Sequence, residues 1–333
     1  MKFYFSEWNN LFTHVREAVL AEGHEITTPQ DADVLVMYAD TRGPLKNLAV
    51  RAKSVGKKVY VVQHGRGAVR DYQKPLGAEL VADKFLCWGQ ADYDRMVKLG
   101  YGDKTVIVGC PLLKFQRPVV ERSEKNVVFI PVNADHEQPE NLIVYYELLK
   151  MTLKNSQEFL NKNRDDLHVK WDYKQKGGVS FHDISGFTLI AKTVGTHVSK
   201  LYHGNVIQSY QGGPDHMKQL FELFSNVDCI VSLDESTTEI LAMACDISVV
   251  VCDEFKWTLL GGSDYKDIEV INTNAANHCP LSALEACVNF ALEHPEDRRA
   301  ERAQVVQHEL GVLLGDPVEN ILREIGAKRL SLV

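Results

Sequence analysis

A histidine flanked by glycine follows an apolar run early in the chain. Residues 59–62 are β-branched or aromatic, which favours a strand buried on both faces of a parallel sheet. Gly65 and Gly67 lack a Cβ, so the chain can turn sharply after the strand and approach a ligand closely. Ligands of open α/β sheets bind beyond the carboxyl ends of the strands. The pattern therefore makes His64 the first candidate for a functional site, the alternative being a histidine that only caps a turn.

A hydroxyl-rich turn in the second half of the chain is the second candidate. The strand-like run 227–232 leads into Ser236, Thr237, Thr238 and Glu239. Ser and Thr are preferred helix N-caps, and the first and last of these four residues have capping-box spacing. The same geometry offers N–H groups and the positive end of a helix dipole to a phosphate, and Glu239 could hold a ribose hydroxyl. Helix capping and phosphate binding both remain open.

Two further groups follow strand-like runs. Asp135 and His136 come after the run 126–131; they could place a base, grip a sugar or, for the carboxylate, cap the next helix. Lys192 ends the run 187–192 and could pair with a phosphate, although such a lysine is more often solvated. We count these three residues as candidates for the same functional site.

The sequence lacks the common signatures of metal sites and nucleotide hydrolysis. It contains no HExxH motif, no Cys/His ligand cluster, no Walker A motif and no complete GxGxxG fingerprint. Asp31 and Asp33 precede their predicted strand, whereas Asp92 and Asp94 lie on a predicted helix, so neither pair is placed for a metal–diphosphate site. The sequence predicts no metal site and no resident cofactor.

Strands and helices alternate along the chain and must position these residues. The predicted strands are 2–5, 33–38, 59–64, 84–89, 105–111, 126–131, 187–192, 205–209, 227–232 and 247–252. The predicted helices are 10–21, 45–55, 91–99, 141–154, 215–225, 240–245 and the segment from 281 onward. Such alternation requires parallel strands joined by right-handed crossovers, hence doubly wound sheets. A proline- and charge-containing segment, 111–124, is the predicted linker, so we predict an α/β protein with Rossmann-like domains at 1–117 and 118–333, the second carrying the terminal helices.

The composition is typical of a soluble globular protein. Of 333 residues, 45% are hydrophobic and 25% charged, and the formal net charge of -8 disfavours broad electrostatic binding to nucleic acid. The seven cysteines include no CxxC pair, which favours reduced thiols in a cytoplasmic protein. No apolar run is long enough to span a membrane, and the first residues do not read as a signal peptide.

Three stretches together resemble the GT-B class of nucleotide-sugar-dependent glycosyltransferases. Within that class the chain is most similar to bacterial surface-polysaccharide and CDP-glycerol glycerophosphotransferase-like proteins. The stretches are Gln63-His64-Gly65, the run 82–89 leading to Gly109-Cys110-Pro111, and the run 227–239 followed by the strand 247–251. Two elements depart from the pattern: Lys192 is not followed by the usual x-His-Pro, and 245–248 replaces the usual Gly-Lys-Pro. These departures leave the identity of the donor open.

The resemblance implies two Rossmann-like domains that face a cleft, with the acceptor on the first and the nucleotide donor on the second. It implies metal-independent transfer of a sugar or glycerophosphate to an acceptor hydroxyl, with His64 as general base, since an imidazole ordinarily titrates near neutrality. Gly65, Ser236, Thr237 and Thr238 would contact the donor, and a glycan or lipid-linked saccharide would be the acceptor.

Three other functions remain as alternatives. A nucleotide-sugar 2-epimerase has the same fold and a similar phosphate turn, but it needs several acidic residues in the first domain. A non-catalytic nucleotide-sugar-binding protein could keep the fold. A transferase acting on modified DNA bases is less favoured by the acidic total; Arg66, Arg70 and Lys74 could form a basic face for it, although a solvated loop is the simpler interpretation.

Overall fold

The chain divides into two compact units. The structure, a computed structural model, describes residues 1–6, 10–41, 43–66, 68–73, 78–115, 125–130, 143–145, 147–148, 151, 188–194, 205–209, 216–233, 237–255 and 274–328. Of the described residues, those up to Phe115 and those from Ala303 onward form the first unit, and those between them form the second. Each unit is built on one parallel sheet, as the alternation of strands and helices predicted.

The first unit contains a six-stranded parallel sheet. Its strands are β1 (Lys2–Phe5), β2 (Glu25–Ile26), β3 (Val34–Met37), β4 (Lys58–Val62), β5 (Lys84–Cys87) and β6 (Thr105–Ile107), and its first helices are α1 (Thr13–Ala21), α2 (Gly43–Ser54) and α3 (Gln90–Lys98). The strand order is β2-β1-β3-β4-β5-β6, so the direction of winding reverses between β1 and β3. In doubly wound sheets such a reversal opens a crevice at the carboxyl ends of the two strands.

Glycines end the first three helices of this unit: Gly23 ends α1, Gly56 ends α2 and Gly100 ends α3. Gly100 has φ +86°, its N–H donates to the Val97 carbonyl, and the N–H of Tyr101 donates to the Met96 carbonyl. This pair of hydrogen bonds is a Schellman motif, which needs a left-handed residue that glycine adopts without a steric penalty. Gly56 has φ +79° and ends α2 in the same way.

The second unit also contains a six-stranded parallel sheet. Its strands are β7 (Asn126–Ile130), β8 (Thr188–Val194), β9 (Asn205–Ser209), β10 (Cys229–Ser232), β11 (Ser248–Cys252) and β12 (Asn277–Cys279), and its helices include α4 (His216–Phe224), α5 (Thr237–Ala244) and α6 (Leu284–Glu293). The order β12-β11-β10-β7-β8-β9 is that of dinucleotide-binding Rossmann sheets. The winding therefore reverses between β7 and β10.

The C-terminal segment differs from its prediction. Helix α7 (Arg299–Leu310) leads from the second unit into the first, and α8 (Pro317–Glu324) belongs to the first. The expected second domain 118–333 therefore lacks its terminal helices. The physical reason is close packing on β5 and β6: the N–H of Cys110 donates to the Leu310 carbonyl at 3.0 Å, and Lys84 pairs with Glu324 at 2.7 Å. A helical pattern in the sequence does not specify which sheet the helix covers.

Several element boundaries also differ from the sequence-based ones. Pro111–Lys114 is a 3₁₀ turn with Leu112 buried, so the first part of the predicted linker belongs to the first unit. Strands β2 and β12 were not predicted, because they have only two and three residues. The strand-like run 168–171 lies outside the described residues. Within the described ranges, no helix is both long and apolar enough to cross a membrane.

Candidate functional site

His64 lies at the carboxyl edge of the first sheet, two residues after β4 ends. Its half-buried ring meets the Tyr38 ring edge-on, with the centroids 5.5 Å apart. The Nδ1 atom of His64 lies 2.9 Å from the backbone carbonyl oxygen of Tyr38. A carbonyl oxygen can only accept, so Nδ1 carries the proton of the neutral ring. Nε2 is then the nitrogen that can take up a proton.

Tyr38 connects His64 to the crevice at the winding reversal. Its N–H donates to the Ser6 hydroxyl oxygen at 3.0 Å, and Ser6 directly follows β1. The N–H of Ser6 in turn donates to the Val36 carbonyl on β3 at 3.0 Å. Ser6, Tyr38 and His64 thus lie side by side across the carboxyl ends of β1, β3 and β4, where ligands of such sheets bind. The strand order that brings Ser6 into this row is not visible in the sequence.

The buried Gln63 side chain fixes the turn that carries His64. Its amide nitrogen donates to the Gly65 carbonyl at 3.2 Å and to the Asp92 carboxylate, and its amide oxygen accepts from the Trp88 N–H at 2.8 Å. An amide uses its oxygen only as an acceptor and its nitrogen only as a donor. These three bonds therefore allow one orientation of the side chain. The Gly65 carbonyl is engaged within the turn, and the contact of Gly65 with the nucleotide-activated donor stays a prediction.

Three buried charged residues, Arg66, Asp92 and Glu309, form with the partly buried Arg95 what we call the turn cluster. Arg95 pairs with Asp92 at 2.6 Å, and Glu309 lies 3.4 Å from Arg66 and 3.6 Å from Arg95. Burial raises the pKa of Asp92 to about 6, although the neighbouring Arg95 guanidinium opposes the increase. The side chain of Arg66 is only 6% exposed. It therefore does not contribute to a solvated or basic loop surface, contrary to the sequence-based expectation.

Asp40 is a further buried carboxylate near the same edge. It accepts hydrogen bonds from the Tyr72 hydroxyl at 2.7 Å, the Val81 N–H at 2.7 Å and the Ala82 N–H at 2.6 Å. Burial raises its pKa, against the lowering effect of these bonds. Asp40 thereby holds the segment that leads into β5. Sequence reasoning missed it, because its partners come from distant parts of the chain.

Thr237 and Thr238 open helix α5, which follows β10 at the winding reversal of the second sheet. Both are half-buried, whereas Glu239 in the same turn is fully buried. The helix begins three residues before the predicted range 240–245, within the hydroxyl-rich turn that favours a helix N-cap. Its position beside β7 and β10 is the nucleotide-binding position of Rossmann sheets. Ser236, Asp135 and His136 lie outside the described residues.

Lys192 differs from its prediction in one respect. It lies inside β8, where it is the register partner of Ile207, and the strand continues for two more residues. It is therefore not at the carboxyl end of its strand, as the shorter predicted strand 187–192 implied. Among the described residues, no group of three or more His, Cys, Asp or Glu side chains is arranged to hold a metal ion.

The segment that replaces the expected Gly-Lys-Pro has a structural explanation. Asp246 ends α5 with φ +57°, and its carboxylate pairs with Arg302 at 2.8 Å and with Arg299 at 2.8 Å. The buried Arg302 also donates to the Asp297 carbonyl at 2.6 Å. Asp is one of the few residues that tolerate the left-handed conformation. Here its carboxylate also fixes the start of α7.

Solved structures resemble the chain over almost its full length. The wall teichoic acid polymerase TagF has a TM-score of 0.57 at 10% identity, covering 98% of this chain and 88% of that chain. MnaA of S. aureus, solved with UDP, gives 0.56 at 10% identity and covers 98% and 97% of the two chains. The UDP-GlcNAc 2-epimerase of Neisseria meningitidis, bound to UDP-GlcNAc, gives 0.56 at 8% identity and covers 98% and 99%.

No protein-family model and no curated protein matches the sequence. At these identities the solved structures show the fold alone. The chain has a GT-B fold, as its sequence predicted. The cleft implied between the two units stays a prediction.

Proposed function

We propose that the protein transfers a sugar or glycerophosphate from a nucleotide-activated donor to an acceptor hydroxyl, with His64 as general base. The observation that carries this proposal is the hydrogen bond between His64 Nδ1 and the Tyr38 carbonyl. It selects the tautomer whose Nε2 would take up a proton, and it holds the ring against Tyr38 at the carboxyl end of β3. A base held in one tautomer needs no reorganisation when the acceptor hydroxyl loses its proton.

The donor would bind to the second unit at the start of α5. N–H groups in the first turn and the hydroxyls of Thr237 and Thr238 offer donors to a diphosphate, and the helix dipole favours its negative charge. Gly65, Lys192, Ser236 and Glu239 remain candidate contacts of the donor, and Asp135 and His136 remain candidate catalytic residues beside His64. The transfer would need no resident cofactor and no metal ion, the donor being a co-substrate.

The acceptor we expect is a glycan or a lipid-linked saccharide. This expectation comes from the resemblance to surface-polysaccharide enzymes, and TagF, one of the similar structures, is a wall teichoic acid polymerase. A DNA acceptor is less favoured, because Arg66 is buried in the turn cluster and the formal net charge is -8.

Epimerisation of a nucleotide sugar is the second candidate, since a UDP-GlcNAc 2-epimerase has the same fold. That reaction requires acidic residues that reach the substrate. In the described part of the first unit, Asp40 and Asp92 are both fully buried and hydrogen-bonded to protein groups. The buried acids support transfer over epimerisation.

A thermal-shift screen with nucleotides and nucleotide-activated donors tests donor binding. A ligand of the folded state adds about 2.7 kcal/mol of stability at about 100 times its Kd. We expect a cytidine- or uridine-diphosphate-linked compound to raise the Tm of the wild type and of His64→Ala equally, because the donor binds to the other unit. The exposed His294→Ala serves as the matched control.

Analysis of the reaction products then distinguishes transfer from epimerisation. Transfer joins the donor group to an acceptor, whereas epimerisation yields a stereoisomer of the intact donor. If no nucleotide raises the Tm, the donor site is wrong and the protein uses its fold for another purpose.

A further inference from the structure

We propose that Glu309 is a positioning residue that fixes the orientation of His64, a role that rests on the proposed function of that histidine. Glu309 lies near the end of α7, far from His64 in sequence, and its side chain is 5% exposed. Its Oε1 atom lies 3.4 Å from Arg66 and 3.6 Å from Arg95. The carboxylate therefore holds the residue two positions after His64.

The position of Glu309 is set by a glycine at the end of β5. A Cβ on Gly89 would lie 2.3 Å from the His308 carbonyl oxygen and 2.6 Å from the Glu309 carbonyl carbon. Only a residue without a side chain allows α7 to approach this closely. Gly89 is also the N-cap of α3, the helix that carries Asp92 and Arg95. The backbone of Glu309 is thus fixed against the helix whose charges it meets.

The turn around His64 is held from both sides. On one side Gln63 bonds to Gly65, Asp92 and Trp88; on the other, Arg66 contacts Glu309. Glu309→Gln would remove the negative charge that lies 3.4 Å from the buried Arg66 guanidinium, which weakens the contact on this side of the turn and lets the turn shift. Arg95 would stay, since Asp92 holds it at 2.6 Å. The change would therefore act on the turn and leave α3 in place.

The test compares Glu309→Gln with the wild type in the full chain. We expect kcat to fall by about 10- to 100-fold, because small misplacements of a catalytic group cost rates of this order. The KM for the donor should stay within about twofold, since the proposed donor site lies on α5 of the other unit. Glu301→Gln, an exposed carboxylate on the same helix, is the matched control and should leave kcat unchanged.

A second measurement reports directly on His64. In the wild type the ¹⁵N resonances of its ring should show the Nδ1–H tautomer, assigned by their loss in His64→Ala. In Glu309→Gln they should move toward the average of both tautomers, because the bond to the Tyr38 carbonyl is no longer maintained. Arg66→Met should produce the same change without leaving a buried charge unpaired, and the double variant should be no worse than either single one.

The outcomes distinguish the positioning role of Glu309 from the role of His64 as general base. If kcat and the His64 resonances of Glu309→Gln and Arg66→Met equal those of the wild type, the positioning role is wrong. If His64→Ala keeps full turnover, the proposed base is wrong, and the ring resonances still decide whether Glu309 orients His64.

Discussion

Individual residues in the first unit show how burial and hydrogen bonding assign different roles to similar side chains. His64 keeps one ring nitrogen bonded to a backbone carbonyl, which is an arrangement suited to proton transfer. Asp40 and Asp92 are fully buried and accept several hydrogen bonds each, which suits them to holding loops in place. Residue type alone did not separate these roles.

Asp92 gives a prediction for the pH dependence of stability. Its pKa is about 6 in the folded protein and about 3.8 in an unfolded chain, so the folded protein binds the proton more tightly. The stabilisation from this group is complete below about pH 4 and is lost as the pH rises through about 6. The free energy of unfolding of the wild type, relative to that of Asp92→Asn, should fall by up to about 3 kcal/mol over this interval.

Urea denaturation at several pH values measures this difference. Asp94→Asn, an exposed residue on the same helix, is the control and should show no such trend. If the free energy of unfolding of the wild type, relative to that of Asp92→Asn, stays constant or grows with pH, the pKa of Asp92 is not raised in the folded protein.

Packing between elements depends on two glycines, Gly89 and Gly311, at which backbone segments approach closely. The runs 82–89 and 109–111 carried the family resemblance, and the structure shows that Gly89 receives the backbone of α7 and that Cys110 bonds to it. A Cβ on Gly311, which follows α7, would lie 2.4 Å from the Trp88 carbonyl oxygen. These contacts bring the C-terminal segment onto β5 and β6.

Gly89→Ala should therefore destabilise the protein far more than a glycine substitution of purely local effect. We expect a loss of at least about 3 kcal/mol, because the new methyl group meets backbone atoms that cannot move independently. Gly100→Ala is the control: its φ of +86° carries a cost of about 1–2 kcal/mol, but its Cβ would have no atom within 4 Å. Equal losses in thermal or urea unfolding would show that the close approach at Gly89 contributes nothing.

At the scale of the whole molecule, the sequence predicted the two Rossmann-like units and most of their strands and helices. The alternation of strand-like and helical patterns was sufficient for this, because these patterns depend on local sequence. The assignment of the terminal helices failed, since α8 packs on elements far away in sequence. The partners of His64 were unpredictable for the same reason: Tyr38 approaches it through the strand order, and Glu309 supports its turn through the return of α7.

The division of the chain into two units, the first of which includes the C-terminal helices, predicts how fragments behave. The fragment 1–117 should not fold alone, because it lacks α8 and leaves Arg66 without Glu309. A fusion of 1–117 to 303–328 through a flexible linker should recover a cooperative thermal transition. A stable, cooperatively folded 1–117 fragment would show that the terminal helices are dispensable for the first unit.

The role of His64 as general base is tested most directly by the turnover of the His64→Ala variant. With the donor found by thermal shift, we expect kcat to fall by at least about 100-fold, the usual contribution of a general base, while the donor-induced rise in Tm is unchanged. The His294→Ala control should keep the wild-type rate. Wild-type turnover by a folded His64→Ala protein would contradict the assignment of His64 as the base.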